Sequence, residues 1–393
     1  MTEKLCFEGN FTQQDPMPEA AIRAATEVLS HARLHRYNLG EGEVGEVAYL
    51  EREFRDATGA AYALAVTSGG YALATALRAH GVKAGDKVLT NAFTLAPVPG
   101  AIASLGAIPI FVETTEALTI DLIHLGEMAE RSGAKVLMLS HMRGHQPDMD
   151  ALMDVARANG LTVIEDCAHT MGGTWGDVVS GRHGATACYS TQTYKHINSG
   201  EGGFLITNDT DVAAQAVLLS GSYMLYDRHG AVPEAEVFEP HRDMTPNVSG
   251  RMDNLRAAIL RPQLADLPAQ VARWARLHDA MEEGLGNLPG LRLIDRDPGL
   301  VRVGSSFQFR LPEAQDIPDF VARCAARGVE LKWFGAERAI GFTSNYRNWG
   351  YANPPVLPQT DRVMAGLLDM RLPLTFTPDD CRLIAWIIRE EAA

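Results

Sequence analysis

Lys195, Asp166 and the Ser68-Gly69-Gly70 turn each stand just past an apolar run, where a polar residue can do chemistry. Lys195 follows Ala185–Ser190 and precedes the glycine-rich stretch Gly200-Glu201-Gly202-Gly203. A lysine packed against a site loses solvation, so its amine turns neutral and nucleophilic at lower pH. The same spacing also describes a solvated loop lysine. Asp166 ends the run Leu161–Glu165 within Ile164-Glu165-Asp166-Cys167-Ala168-His169. A carboxylate there can keep a pyridinium nitrogen protonated and make its ring an electron sink. It can equally cap the next helix. Ser68-Gly69-Gly70 opens a helix after Tyr62–Val66. Bare N–H groups and the helix dipole suit a phosphate, although an ordinary strand-to-helix turn has the same residues. Ser190 can add a hydroxyl to the same phosphate.

The elements that position these residues alternate. Strands are predicted at Tyr62–Val66, Val88–Leu89, Ala107–Val112, Val136–Ser140, Leu161–Glu165, Ala185–Ser190 and Gly203–Thr207. Helices are predicted at Pro18–Leu34, 43–57, Tyr71–His80, 120–132 and Met149–Asn159. Strands separated by helices imply a mostly parallel sheet covered on both faces. Ligands of such sheets gather at the carboxyl ends of the strands. After residue 255 the texture changes. Two helical patterns, Asn254–Leu267 and Ala269–Leu285, precede short strands near 291–294 and 305–311. Helices follow at Ile317–Arg327 and 379–391. This reads as a large α/β domain over 1–255, with a helical arm at 1–35, and a smaller α+β domain over 256–393.

Composition bounds the function. At 393 residues, two domains are the default. A net charge of −14 argues against nucleic-acid or anionic-membrane partners. The five cysteines are scattered, with no CxxC pair, which fits a reducing cytoplasm. The start lacks the pattern of a signal peptide. No apolar run of roughly 18 residues predicts a membrane span. No HExxH-like ligand set appears, so no metal is expected.

Five features together carry a resemblance. They are the Lys195-His196-Ile197 run ending in Gly200-Glu201-Gly202-Gly203, and Ser190 five residues before Lys195. The others are Ile164-Glu165-Asp166 with Ala168-His169, Ser68-Gly69-Gly70 with Ala72-Leu73, and Arg251-Met252 with Leu255 and Ala257-Ala258. Over about residues 40–265 the chain resembles the DegT/StrS family of aminotransferases that use pyridoxal 5′-phosphate (PLP). The resemblance implies a fold-type-I PLP-transferase with a mostly parallel seven-stranded sheet sandwiched by helices. It implies a Schiff base on Lys195, which then moves the proton as general acid–base. It implies Asp166 on the pyridinium nitrogen and His169 near the phenolic oxygen; a buried, hydrogen-bonded histidine is the other reading of His169. Ser68, Gly69, Gly70 and Ser190 would hold the phosphate, with Gln192 a further candidate. An asparagine of the partner subunit completes that phosphate site in the family. The match is Asn247 if a short insertion is allowed, or Ser249 if none is; Asn247 is preferred. The implied assembly is a homodimer with shared active sites.

The chain departs from the family pattern in two places. Leu95 stands where an aromatic residue stacks on the cofactor ring, so Leu95 offers an aliphatic face or Phe93 compensates. Ser140-His141-Met142-Arg143-Gly144-His145 replaces a shorter polar–aromatic–glycine loop. Arg143 is a candidate for a substrate carboxylate, because arginine pairs bidentately with carboxylates; a structural salt bridge is the other reading. Trp333, in the aromatic-rich segment Leu331–Gly335, is a candidate to line the substrate side, against simple packing. The expected reaction moves an amino group from glutamate or glutamine to a small-molecule carbonyl acceptor. That acceptor is a keto-sugar nucleotide by family resemblance, or a small oxo-acid or other carbonyl compound. The alternatives are a PLP lyase, racemase or decarboxylase, or a non-catalytic PLP-binding regulator.

Overall fold

The computed structural model describes residues 5–286, 288–311, 316–341 and 343–392. Seven strands form the main sheet: β1 (Tyr62–Val66), β2 (Lys87–Asn91), β3 (Ile108–Val112), β4 (Val136–Ser140), β5 (Thr162–Asp166), β6 (Thr186–Ser190) and β7 (Gly203–Thr207). Their order is β1-β7-β6-β5-β4-β2-β3, and only β7 runs antiparallel to its neighbours. Alternation along the strands feeds two cores. Leu64, Val66, Val88, Met138, Ile164 and Leu205 face α3 (Gly69–Ala79) and α4 (Pro97–Ser104). Ala63, Ala65, Ala187, Tyr189, Phe204 and Ile206 face α2 (Glu46–Thr58) on the other side. A sheet buried on both faces reads as near-continuous apolar runs, which is why all seven strands were visible in the sequence.

The helix α1 (Glu19–His31) leads the chain, and α5 (Leu122–Ser132), α6 (Met149–Ala158) and α7 (Thr210–Ser220) complete the layers around the sheet. The predicted pair Asn254–Leu267 and Ala269–Leu285 is one helix, α8 (Asn254–Leu285), which contains Pro262 and Pro268. An interior proline removes a hydrogen bond and crowds the preceding turn, so the sequence reads as two helices. Tertiary packing carries the helix through instead. Leu260, Leu264 and Leu267 sit in the core of the main sheet, while Trp274, Leu277, Met281 and Leu285 sit in the next core.

That second core backs a four-stranded antiparallel sheet. Its strands are β8 (Arg292–Leu293), β9 (Ser306–Arg310), β10 (Lys332–Trp333) and β11 (Leu367–Arg371), in the order β8-β9-β11-β10. Helices α9 (Ile317–Ala326) and α11 (Pro378–Ala392) cover it, and α10 (Pro358–Ala365) leads into β11. The N-terminal segment joins this core rather than the first. Phe7 and Phe11 pack edge-on against Phe376, and the Phe7 amide donates to the Arg327 carbonyl at 2.8 Å. No helix among the described residues is long and apolar enough to cross a membrane.

Candidate active site

The carboxyl ends of β4, β5 and β6 lie side by side, so Ser140, Asp166 and Ser190 share one edge of the sheet. Beside them, Gly203 opens β7 between Val66 and Ser190. A Cβ on Gly203 would stand 2.6 Å from the Tyr189 carbonyl and 2.7 Å from the Gly69 amide nitrogen. Only glycine permits that approach. It lets the start of α3 meet the end of β6, where a Cβ on Gly69 would touch Ser190 Cβ at 2.9 Å. Ser68 caps α3, its Oγ accepting from the Tyr71 amide at 3.1 Å. The first N–H groups of a helix have no partner within it, so Gly69, Gly70 and the Ser190 hydroxyl meet in one corner whose chemistry suits an anion.

Lys195 follows in a tight turn, with its amide donating to the Gln192 carbonyl at 2.8 Å. The Gln192 side chain accepts from the Tyr194 amide at 3.0 Å and helps hold that turn. Lys195 Nζ lies 2.8 Å from His169 Nε2. Burial, then Arg143, pull the lysine pKa down to about 7, against the opposing pull of Asp166. Burial, then Lys195, push His169 well below its usual value, so its ring is neutral. His169 Nδ1 accepts from the Arg143 amide at 3.3 Å. The ring proton then belongs on Nε2, where it donates to the lone pair of a neutral lysine amine. Geometry and electrostatics therefore both favour the neutral form of Lys195 more than an exposed lysine would allow. Asp166 Oδ2 accepts from Ser140 Oγ at 2.9 Å, and Oδ1 from the Ala168 amide at 3.2 Å.

These groups surround a cavity of about 640 Å³. Ser68, Gly69, Gly70, Leu95, Arg143, His169, Ser190, Gln192 and Lys195 all line it. Asp166 does not line it; its carboxylate sits close enough to act on Lys195 from behind. Leu95 reaches the cavity while Phe93 is fully buried against Phe334, rings 5.4 Å apart. The aliphatic face is therefore present, and Phe93 does not substitute for it. Arg143 adopts a left-handed backbone, and its Nη2 lies 2.7 Å from Asp369 Oδ2. It thus lines the cavity and makes the structural ion pair at once.

Trp333 is a correction. It borders a separate hollow with Arg292, Arg310 and Arg362, and its indole N–H donates to the Ala365 carbonyl at 2.8 Å. Successive side chains on a strand point to opposite faces, and its neighbour Lys332 takes the side near Arg143 and Asp369. Asn247 is exposed, away from this chain's cavity, where its Oδ1 accepts from the Ser249 amide at 2.9 Å. Sequence reading missed Arg371 and Tyr194, both on the cavity wall, with the Arg371 guanidinium 3.6 Å from the Tyr194 ring centre. The position of Tyr194 beside Lys195 was a usable signal; nothing local marks Arg371. Sequence reading also missed Gln14–Pro18, which reach the cavity from the N-terminal segment.

A family model described as the DegT/DnrJ/EryC1/StrS aminotransferase family matches residues 19–389. L-glutamine:scyllo-inosose aminotransferase of Streptomyces griseus is 31% identical over 301 residues, covering 76% of this chain and 70% of that protein. GDP-perosamine synthase of Caulobacter vibrioides is 32% identical over 246 residues, 62% of each chain. The chain thus spans between three fifths and seven tenths of the length of these two relatives. Among solved structures, 3-amino-5-hydroxybenzoic acid synthase matches with a TM-score of 0.83 at 25% identity, over 99% of both chains. This chain belongs to the DegT/DnrJ/EryC1/StrS family of PLP-dependent aminotransferases.

Proposed function

We propose that the chain moves an amino group from L-glutamine or L-glutamate to a ketone or aldehyde carbon of a sugar-like or other small carbonyl acceptor. The observation that carries this is the partly buried Lys195, 2.8 Å from His169 in one cavity with Ser68, Gly69, Gly70 and Ser190. The relatives' names support it: one pairs L-glutamine with scyllo-inosose, and another makes GDP-perosamine.

The residues present fit PLP. Gly69, Gly70, Ser68 and Ser190 would take its phosphate, with Gln192 shaping the turn beside it. Asp166 would hold the proton on its ring nitrogen, and Ser140 keeps that carboxylate oriented. His169 would meet the ring's phenolic oxygen, and Leu95 would cover one face. When bound, PLP supplies a ring that draws electrons from the attached substrate carbon. Lys195 would hold and pass on a proton at its Nζ, a role that its pKa near 7 suits. Asn247 of one chain would complete the phosphate corner of the other, making the working unit a homodimer. We assign the enzyme to the cytoplasm, since none of its described cysteines forms a disulfide. We draw the boundary between its two domains within α8, because that helix serves both cores.

The test is optical. Adding L-glutamine or L-glutamate to the PLP-loaded enzyme is expected to convert the bound chromophore stoichiometrically to the shorter-wavelength pyridoxamine form. A carbonyl acceptor is expected to reverse it. A chromophore that no amino donor converts would refute the proposal.

A further inference from the structure

The hollow beside Trp333 gathers charge that the chemistry at Lys195 does not use. Its volume is about 1050 Å³, and it shares no described wall residue with the Lys195 cavity. Arg292, Arg310 and Arg362 line it, against Glu116 and Asp316. The fold forces two of these arginines together. Arg292 on β8 is the direct partner of Arg310 on β9 in an antiparallel pair. Directly opposed side chains share one face of the sheet, and like charges there repel. Arg310 is also buried, with its side chain only 6% exposed. Its Nε is buried without a hydrogen-bond partner. A buried cation with an unmet donor is costly unless an anion meets it.

One carboxylate answers these charges in part. Glu116 stands on the turn after β3, with its Oε2 2.7 Å from Arg310 Nη1 and 3.8 Å from Arg292 Nη1. Its hydrogen bond to Arg310 and that arginine's charge, then Arg292 and Arg362, hold the Glu116 carboxyl below its usual range. All three cations therefore act at one point. The Glu116 side chain is 55% exposed, so it can swing into solvent and yield its place. Asp316 is engaged elsewhere, its Oδ1 accepting from the Asp319 amide at 3.3 Å as the cap of α9. Three guanidinium groups around one displaceable carboxylate suit a dianion, and their planar forks match phosphate oxygens. The rest of the wall is apolar. Trp333 is held by its indole N–H on the Ala365 carbonyl at 2.8 Å, and Leu288, Leu291 and Ile317 also line the hollow.

We propose that this hollow is a second small-molecule site, which takes a phosphate monoester carrying an aromatic or apolar body. Arg310, Arg292 and Arg362 meet the phosphate in the place of Glu116, and Trp333 packs against the body. The site goes beyond the amino-transfer reading and does not depend on it.

The test is calorimetry on the PLP-loaded enzyme, with phenyl phosphate, inorganic phosphate and benzoate as probes. The bound cofactor fills the phosphate corner, and its absorbance reports any probe that enters the Lys195 cavity. Phenyl phosphate is expected to bind with that absorbance unmoved, and to lose at least about 10-fold in affinity in Arg310→Gln. No binding, equal affinity in both proteins, or binding that shifts the chromophore and survives in R310Q overturns the site. Because Arg310 is buried, the exposed Arg362→Gln gives a second reading, with an expected loss of roughly 3-fold. Conversion of the chromophore by an amino donor reports that each variant is folded. Glu116→Gln removes the competing charge and is expected to tighten phenyl phosphate roughly 3-fold. Weaker or unchanged binding in E116Q overturns the exchange at Arg310. Trp333→Leu is expected to weaken phenyl phosphate and leave inorganic phosphate unmoved; equal changes in both overturn the role of Trp333. Benzoate bound as tightly as phenyl phosphate overturns the preference for a dianion.

Discussion

An amine attacks only after losing its proton, and the surroundings of Lys195 weaken its hold on it. Burial and Arg143 lower its pKa to about 7, and the neutral His169 ring donates to it. The free amine dominates above that value, so apoenzyme is expected to capture PLP covalently faster as pH rises from 6 to 8, then level off. Stopped-flow absorbance measures this; a rate flat across that range would contradict a neutral lysine near pH 7. Lys195→Ala is expected to bind PLP without covalent attachment and to lose at least about 10³-fold in turnover. Borohydride reduction followed by mass measurement checks the first, and steady-state assay the second. Lys195, Asp166 and Ser190 were legible because each follows an apolar strand. Trp333 misled because a two-residue strand carries too little pattern to say which way each side chain points, and neither Lys332 nor Trp333 lines the cavity.

At the scale of elements, the site depends on β7 running against its neighbours. Both β6 and β1 end at the ligand edge, and β7 begins there, so Gly203 is wedged between Tyr189 and Gly69. Gly203→Ala is expected to cost about 1–3 kcal/mol through overpacking and to weaken PLP retention by moving α3 off Ser190. Urea denaturation and PLP titration would measure the two effects. Unchanged affinity would mean that the anion corner does not need this approach. The seven strands were readable as apolar runs, but their order was not, since a run of buried residues does not name its neighbour. Pro268 likewise suggested a break that the two cores beneath α8 override.

At the scale of the whole molecule, distant segments build one cavity. Gln14–Pro18, the β4 and β6 ends, α8 and β11 all contribute to its wall. The N-terminal segment is anchored by Phe7 and Phe11 in the core of the second sheet and by an Asp15–Arg273 ion pair at 2.6 Å. If Asn247 acts across a dimer, Lys195→Ala and Asn247→Ala chains mixed and reassembled at low PLP are expected to regain activity that neither has alone. Each mixed dimer then carries one intact site. No recovery, with mixed dimers present, would place Asn247 outside the partner's site. The sequence by itself determined the family and pointed to Lys195, Asp166, Ser190 and the Ser68-Gly69-Gly70 turn, because these are local patterns of strand end, glycine and polar residue. Only the tertiary structure decided that His169 meets the lysine and that Arg371 and Asp369 join Arg143. Those contacts bridge 26 to more than 200 residues of chain, and no spacing along the sequence encodes a meeting that two packed cores bring about.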